Sequence, residues 1–106
     1  AGLNRMALSL AVDLADHHIN VNCIAPGYID SRVLPLEEET TRGGDAHTAI
    51  PWISNTIPWI PSRRIGVPAD IANAVLFLSS HMGDYVNGQT ITVDGGFLSG
   101  GTPRED

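Results

Sequence analysis

Lysine is absent from this 106-residue chain; all six basic residues are arginine. That excludes any chemistry needing a lysine within it: a phosphate-loop lysine, a Schiff base, or a Tyr-x-x-x-Lys pair. Cysteine occurs once, at Cys23, so no internal disulfide can form. A reducing, cytoplasmic setting is the expectation. Basic charge is scarce, twelve acidic residues against six basic ones, for a net charge of −6. A nucleic-acid or anionic-membrane partner would need a basic patch, and there is none. No apolar run nears the roughly 20 residues of a membrane helix. The first residues do not read as a secretory signal.

What is present suits one packed domain, or part of one. Apolar residues make up 42% and charged residues 17%, which is neither a disordered polyelectrolyte nor a coiled coil. The chain opens at Ala1 inside a helical pattern, so an upstream portion is expected.

Residues 2 to about 17 read as a helix, with Leu3, Ala7, Leu10 and Leu14 on one stripe. Leu8, Ala11, Val12 and Ala15 widen that stripe beyond an ordinary buried face. One side would meet the sheet. The other would meet either a partner subunit or the interior of a larger monomer. His17 and His18 end the helix. Adjacent histidines diverge and make a poor metal pair, so no metal site is expected, and a role at the negative end of the helix is the reading.

Ile19 to Ala25 reads as a strand with Ile19, Val21, Cys23 and Ala25 on one face. Cys23 there is a small core residue, with no basic neighbour to make it a nucleophile. A helix running directly into such a strand is half of a βαβ unit. Pro26-Gly27 stops the strand. Ligands of open parallel sheets sit beyond the carboxyl ends of strands, so Pro26 to Ser31 falls where a cofactor would be.

Tyr28 to Pro61 reads as long and irregular, with four prolines, Gly43-Gly44 and the acidic run Glu37-Glu38-Glu39. Loops of this length are commonly functional lids. Ile-Pro-Trp-Ile occurs twice, at 50–53 and 57–60. Trp52 and Trp59 either anchor the loop to the body or line a substrate flap. Pro68 to Ser80 reads as a second helix, opened by Pro68 and Asp70. Ile71, Ala74, Val75 and Leu78 are its expected buried stripe, broadened by Ala72, Leu76 and Phe77. Met82 to Tyr85 reads as a loop and Asn87-Gly88 as a turn. Thr90 to Val93 reads as a strand with Ile91 and Val93 on one face. The glycines after it lack the dinucleotide-fingerprint spacing.

Five pieces in this order resemble the C-terminal half of the short-chain dehydrogenase/reductase family. They are Asn20-Val21-Asn22 with Ile24-Ala25-Pro26-Gly27, Ile29 and Ser31; Arg64-Ile65-Gly66-Val67-Pro68 with Asp70-Ile71-Ala72; Phe77-Leu78-Ser79-Ser80; Asn87-Gly88; and Val93-Asp94-Gly95-Gly96. The resemblance spans residues 1 to about 97. It implies an α/β fold, the C-terminal part of a Rossmann-like doubly wound parallel sheet. The whole chain would be one portion of a single NAD(P)-binding domain, with a substrate loop at 32–62 and a tail at 100–106.

The resemblance also implies NAD or NADP as cofactor and interconversion of a small-molecule carbonyl and alcohol. The family's catalytic Ser, Tyr and Lys would lie upstream of Ala1, so no catalytic residue is assigned to this chain. The cofactor residues implied are Pro26 and Gly27 at the nicotinamide wall, the Ile29 backbone at the carboxamide, and Ser31 where the family usually has Thr. Tyr28, Trp52 and Trp59 are substrate-loop candidates. The first helix, and the second helix with the last strand, match surfaces the family packs in dimers and tetramers. The alternatives are an inert or subunit-binding fragment, and a small-molecule binding module without redox chemistry.

Overall fold

The computed structural model describes residues 1–32 and 51–100. The chain divides into two compact units: Ala1–Ala25 with Ile71–Thr92, and Pro26–Asp70 with Val93–Asp106.

In the first unit, α1 (Gly2–Asp13) is followed by a 3₁₀ turn, Ala15–His17. The helical pattern thus ends four residues earlier as α-helix than the apolar periodicity predicts. Its end is set by backbone geometry. His18 adopts a left-handed conformation at φ 59°. Its N–H donates to the Ala15 carbonyl, while Ile19 N–H reaches back to Leu14. That paired closure is the Schellman arrangement, usually made by glycine. His18 thus closes the helical segment through its backbone, while His17 stands in the last turn. Only Ala7 and Ala11 of α1 are buried. Leu3 and Val12 are 65% and 70% exposed, so the wide apolar face finds little cover among the described residues.

The first strand, β1 (Cys23–Pro26), is shorter than the predicted 19–25. Asparagine side chains take the place of the missing ladder. Val21 N–H donates to Asn87 Oδ1 at 2.9 Å, Asn22 Nδ2 to the Val86 carbonyl, and Gln89 N–H to Asn22 Oδ1. Side chains of this type compete with regular pairing for backbone groups. Asn87 Nδ2 also donates to the Ala11 carbonyl, tying the turn to α1.

Helix α2 (Pro51–Thr56) and α3 (Pro68–Ser79) follow, and a 3₁₀ turn, His81–Gly83, overlaps the start of the predicted loop, Met82 to Tyr85. α3 ends within one residue of its predicted end. Its expected stripe is not buried: Ile71, Ala74 and Leu78 are half-covered, while Val75, Leu76 and Phe77 are exposed. The strand β2 (Thr90–Val93) has Ile91 and Val93 on its covered side, as expected. β1 and β2 form a two-stranded sheet. Cys23 N–H donates to Gln89 and Gly27 N–H to Val93, the same offset along both chains, which makes the pairing parallel.

The second unit contains a separate core of Ile53, Ile60 and Ile65, with Ile57 and Phe97 against it. Part of the predicted irregular loop is helical here: α2 continues into a 3₁₀ turn, Ile57–Trp59. Each Ile-Pro-Trp-Ile copy buries its last isoleucine, Ile53 and Ile60, and exposes its tryptophan. Trp52 and Trp59 are 44% and 50% exposed. Isoleucines, not tryptophans, anchor this segment. The acidic run Glu37–Glu39, the Gly43-Gly44 pair and the tail beyond Gly100 lie outside the described residues, as does most of the proposed substrate loop.

Candidate functional site

The segment after β1 sits at the carboxyl end of a parallel strand. Its path is set by one isolated parallel bridge, Ile29 to Gly66. Gly66 N–H donates to the Tyr28 carbonyl at 2.9 Å, and Asp30 N–H donates to the Gly66 carbonyl at 2.9 Å. Successive residues of an extended chain point their peptide groups to opposite sides. With Tyr28 and Asp30 turned toward Gly66, the Ile29 N–H and C=O face the other way. Neither has a hydrogen-bond partner among the described residues. An adjacent donor and acceptor on one extended residue match a primary carboxamide, which presents one acceptor and two donors.

Gly27 has a structural reason of its own. A Cβ placed there would lie 2.6 Å from Asp94 Cβ and 2.8 Å from Asp94 Cα. The glycine is needed for the close approach of Asp94, a neighbour the sequence did not suggest. Asp94 is itself fixed by accepting from Gly96 N–H at 2.8 Å and Leu98 N–H at 3.0 Å. Tyr28 stacks edge-on against Phe97, with centroids 5.2 Å apart at 85°. Pairs in this geometry add about 0.5–1.5 kcal/mol beyond area burial.

A cavity of about 110 Å³ opens beside the bridge. Tyr28, Ile29, Ser62, Arg64, Gly66 and Asp70 line it, together with residues 93–95. Arg64 and Asp70 form a bidentate pair at 2.7 and 2.9 Å. Asp70 also accepts from Val67 N–H at 2.8 Å. The hydrogen bond that Arg64 donates to Asp70 holds the guanidinium above its ordinary pKa, against the opposing effect of burial. The guanidinium thus stays charged through the whole working pH range.

Of the predicted site residues, Tyr28 and Ile29 reach this cavity. Pro26, Gly27 and Ser31 do not line it, and neither do Trp52 or Trp59. Pro26 and Ser31 are exposed. Sequence reasoning missed Asp30, whose side chain is fully buried and ion-paired with Arg32. It also missed the Arg64–Asp70 pair, although Asp70 beside Pro68 was legible as a helix start. No group of three or more His, Cys, Asp and Glu among the described residues is placed to hold a metal. No helix there is long and apolar enough to cross a membrane.

The family model described as enoyl-(acyl carrier protein) reductase matches residues 1–98. A solved short chain dehydrogenase from Bacillus anthracis is 31% identical, with a TM-score of 0.69 over 96% of this chain and 34% of its own. The chain belongs to the short-chain dehydrogenase/reductase family. The 3-oxoacyl-(acyl-carrier-protein) reductase MabA of Mycobacterium tuberculosis is 35% identical over 94% of this chain. The 2-dehydro-3-deoxy-D-gluconate 5-dehydrogenase of Escherichia coli is 36% identical over 93%. Acetoin dehydrogenase YohF from Salmonella typhimurium matches in structure with a TM-score of 0.75, at 31% identity, over 98% of this chain and 37% of its own. The chain spans about a third of the length of these relatives, 36% of the two curated enzymes. The α/β architecture with a parallel sheet is that of these short-chain dehydrogenase/reductase relatives.

Proposed function

We propose that this chain is the C-terminal portion of an NAD(P)(H)-dependent oxidoreductase that interconverts a carbonyl and an alcohol. The reading rests on one observation: the Ile29 peptide edge, unengaged among the described residues, at the carboxyl end of a parallel strand in a chain of this family. The nicotinamide, when bound, supplies or accepts hydride. The chain's own residues orient it. Ile29 N–H donates to the carboxamide oxygen and Ile29 C=O accepts from its NH₂ group. The Ser31 hydroxyl hydrogen-bonds the carboxamide or a phosphate oxygen. Pro26 and Gly27 shape the wall beside the ring. Fixing one ring face in this way is the protein's share of the chemistry.

In this reading the Ser, Tyr and Lys that move protons lie outside the chain. Tyr28, Trp52 and Trp59 face a small-molecule carbonyl or alcohol. The exposed apolar sides of α1 and α3 are covered by copies of the same protein, as a dimer or tetramer, in the cytoplasm. Neither nucleic acid nor membrane is a partner.

The test has two parts. The intact mass of the protein purified from its source is measured, and the protein is titrated with NADH and NADPH while tryptophan fluorescence is followed. A mass well above 11.3 kDa with saturable binding of one cofactor is expected. A mass of 11.3 kDa without binding favours the competing reading, a non-catalytic subunit-binding fragment, which the uncovered apolar face of α1 also suits.

A further inference from the structure

Asp30 is a carboxylate with a side chain 0% exposed, in a short loop near the surface. Desolvating such a charge is costly, and an ion pair rarely returns more than that cost. An apolar side chain would serve stability at least as well, so the charge needs another explanation. Its contacts supply one. Asp30 Oδ1 accepts from the Arg32 backbone N–H at 3.2 Å and from Arg32 Nε at 2.8 Å. Oδ2 accepts from Arg32 Nη2 at 2.5 Å. The carboxylate thus closes a two-residue loop around Ser31, with three bonds from one arginine.

On the other side, Asp30 N–H is held by the Gly66 carbonyl. Gly66 has no Cβ, and one there would strike the Ile29 side chain. Ile29 is therefore fixed from three directions: the bridge, the packing of its side chain over Gly66, and the Asp30 latch one residue later. The arginine side chain of the latch is 44% exposed.

We propose that Asp30, through Arg32, is a positioning residue. It sets the Ile29 peptide edge and the Ser31 hydroxyl at the angle a nicotinamide carboxamide requires. This rests on the cofactor reading above. The latch touches no reacting atom and acts through its neighbours. Small misplacements of such groups are costly, on the order of 10²-fold for ~1 Å.

The experiment uses the purified protein that carries this chain and two ligands. One is NADH or NADPH. The other is the matching ADP-ribose, which lacks the nicotinamide. Asp30→Asn and Arg32→Gln are compared with the unaltered protein by Kd and by melting temperature. Arg32→Gln changes a half-exposed side chain and leaves a folded variant if Asp30→Asn does not. The expected result is a Kd for the reduced cofactor raised about tenfold or more, an unchanged Kd for the ADP-ribose, and a smaller effect in Asp30→Glu. Equal weakening of both ligands, or a lowered melting temperature with both Kd values unchanged, overturns the proposal and leaves the cofactor reading standing. Failure of the unaltered protein to bind any of these ligands overturns the reading itself, and the proposal with it.

Discussion

Two residues show how backbone geometry and side-chain chemistry divide the work. His18 sits at φ 59°, where a non-glycine residue costs on the order of 1–2 kcal/mol. Its backbone N–H donates to Ala15 in the closing turn. His18→Gly is therefore expected to raise stability by about 0.5–1 kcal/mol, read as a higher denaturation midpoint at unchanged slope. A fall in the midpoint would restore the imidazole to a role in capping. Gly27 argues in the opposite direction. The sequence marked it for a turn and a ligand wall, and could not show that Asp94 approaches within the reach of a Cβ. The contacting atoms belong to backbone and Cβ, which cannot swing aside. Gly27→Ala should cost about 1–3 kcal/mol from overpacking alone, and Gly27→Val should also raise the cofactor Kd. If Gly27→Ala leaves the melting temperature unchanged and weakens only the cofactor, the packing explanation is wrong.

At the scale of elements, strong periodicity was legible and substitution of side chains for ladder was not. α3 keeps its predicted start and span, and β2 its predicted face, because Pro68 with Asp70, and the alternation of Ile91 and Val93, are local signals; the burial expected of the α3 stripe does not follow. β1 came out short because Asn22 and Asn87 supply bonds that strands usually make, and the sequence holds no sign of which partner an asparagine will find. The tryptophan segment was half legible. Its repeat was visible, but the isoleucine at each end carries the burial. Ile60→Ala should destabilise by about 2–5 kcal/mol, the range for emptying a buried aliphatic site. Trp59→Ala, at half exposure, should move the melting temperature far less and change substrate preference more than cofactor affinity. Matched losses of stability in the two variants would mean that Trp59 anchors the segment after all. Of the loop read as a candidate site, Pro26 to Ser31, only Tyr28 and Ile29 line the cavity; the stretch was visible because the Pro-Gly stop after a strand is a local signal. Asp30 and the Arg64–Asp70 pair were not, because their meaning lies in burial and in partners brought close by folding.

For the molecule as a whole, the decisive quantity is how much apolar surface this chain leaves uncovered. Met6 and Val12 on α1, Leu76 on α3, and Tyr85 are all more than half exposed. Exposed apolar side chains in such number favour association with another surface. Its relatives are nearly three times as long, and the same family fold in them is shared between this span and a larger remainder. The isolated 106-residue chain should therefore self-associate and turn over no NAD(P)(H)-linked substrate. Size-exclusion chromatography over a range of concentrations, with an assay of the same fractions at 340 nm, checks both halves. Association without activity is the expected outcome, because the surface is present while the lysine that family chemistry needs is not. A stable monomer would mean that the exposed faces are tolerated, and the oligomer reading would fall. Turnover by the isolated chain would be the more serious result. It would require proton transfer without Lys, from groups such as Tyr28 or Asp94 that here serve packing and turn closure.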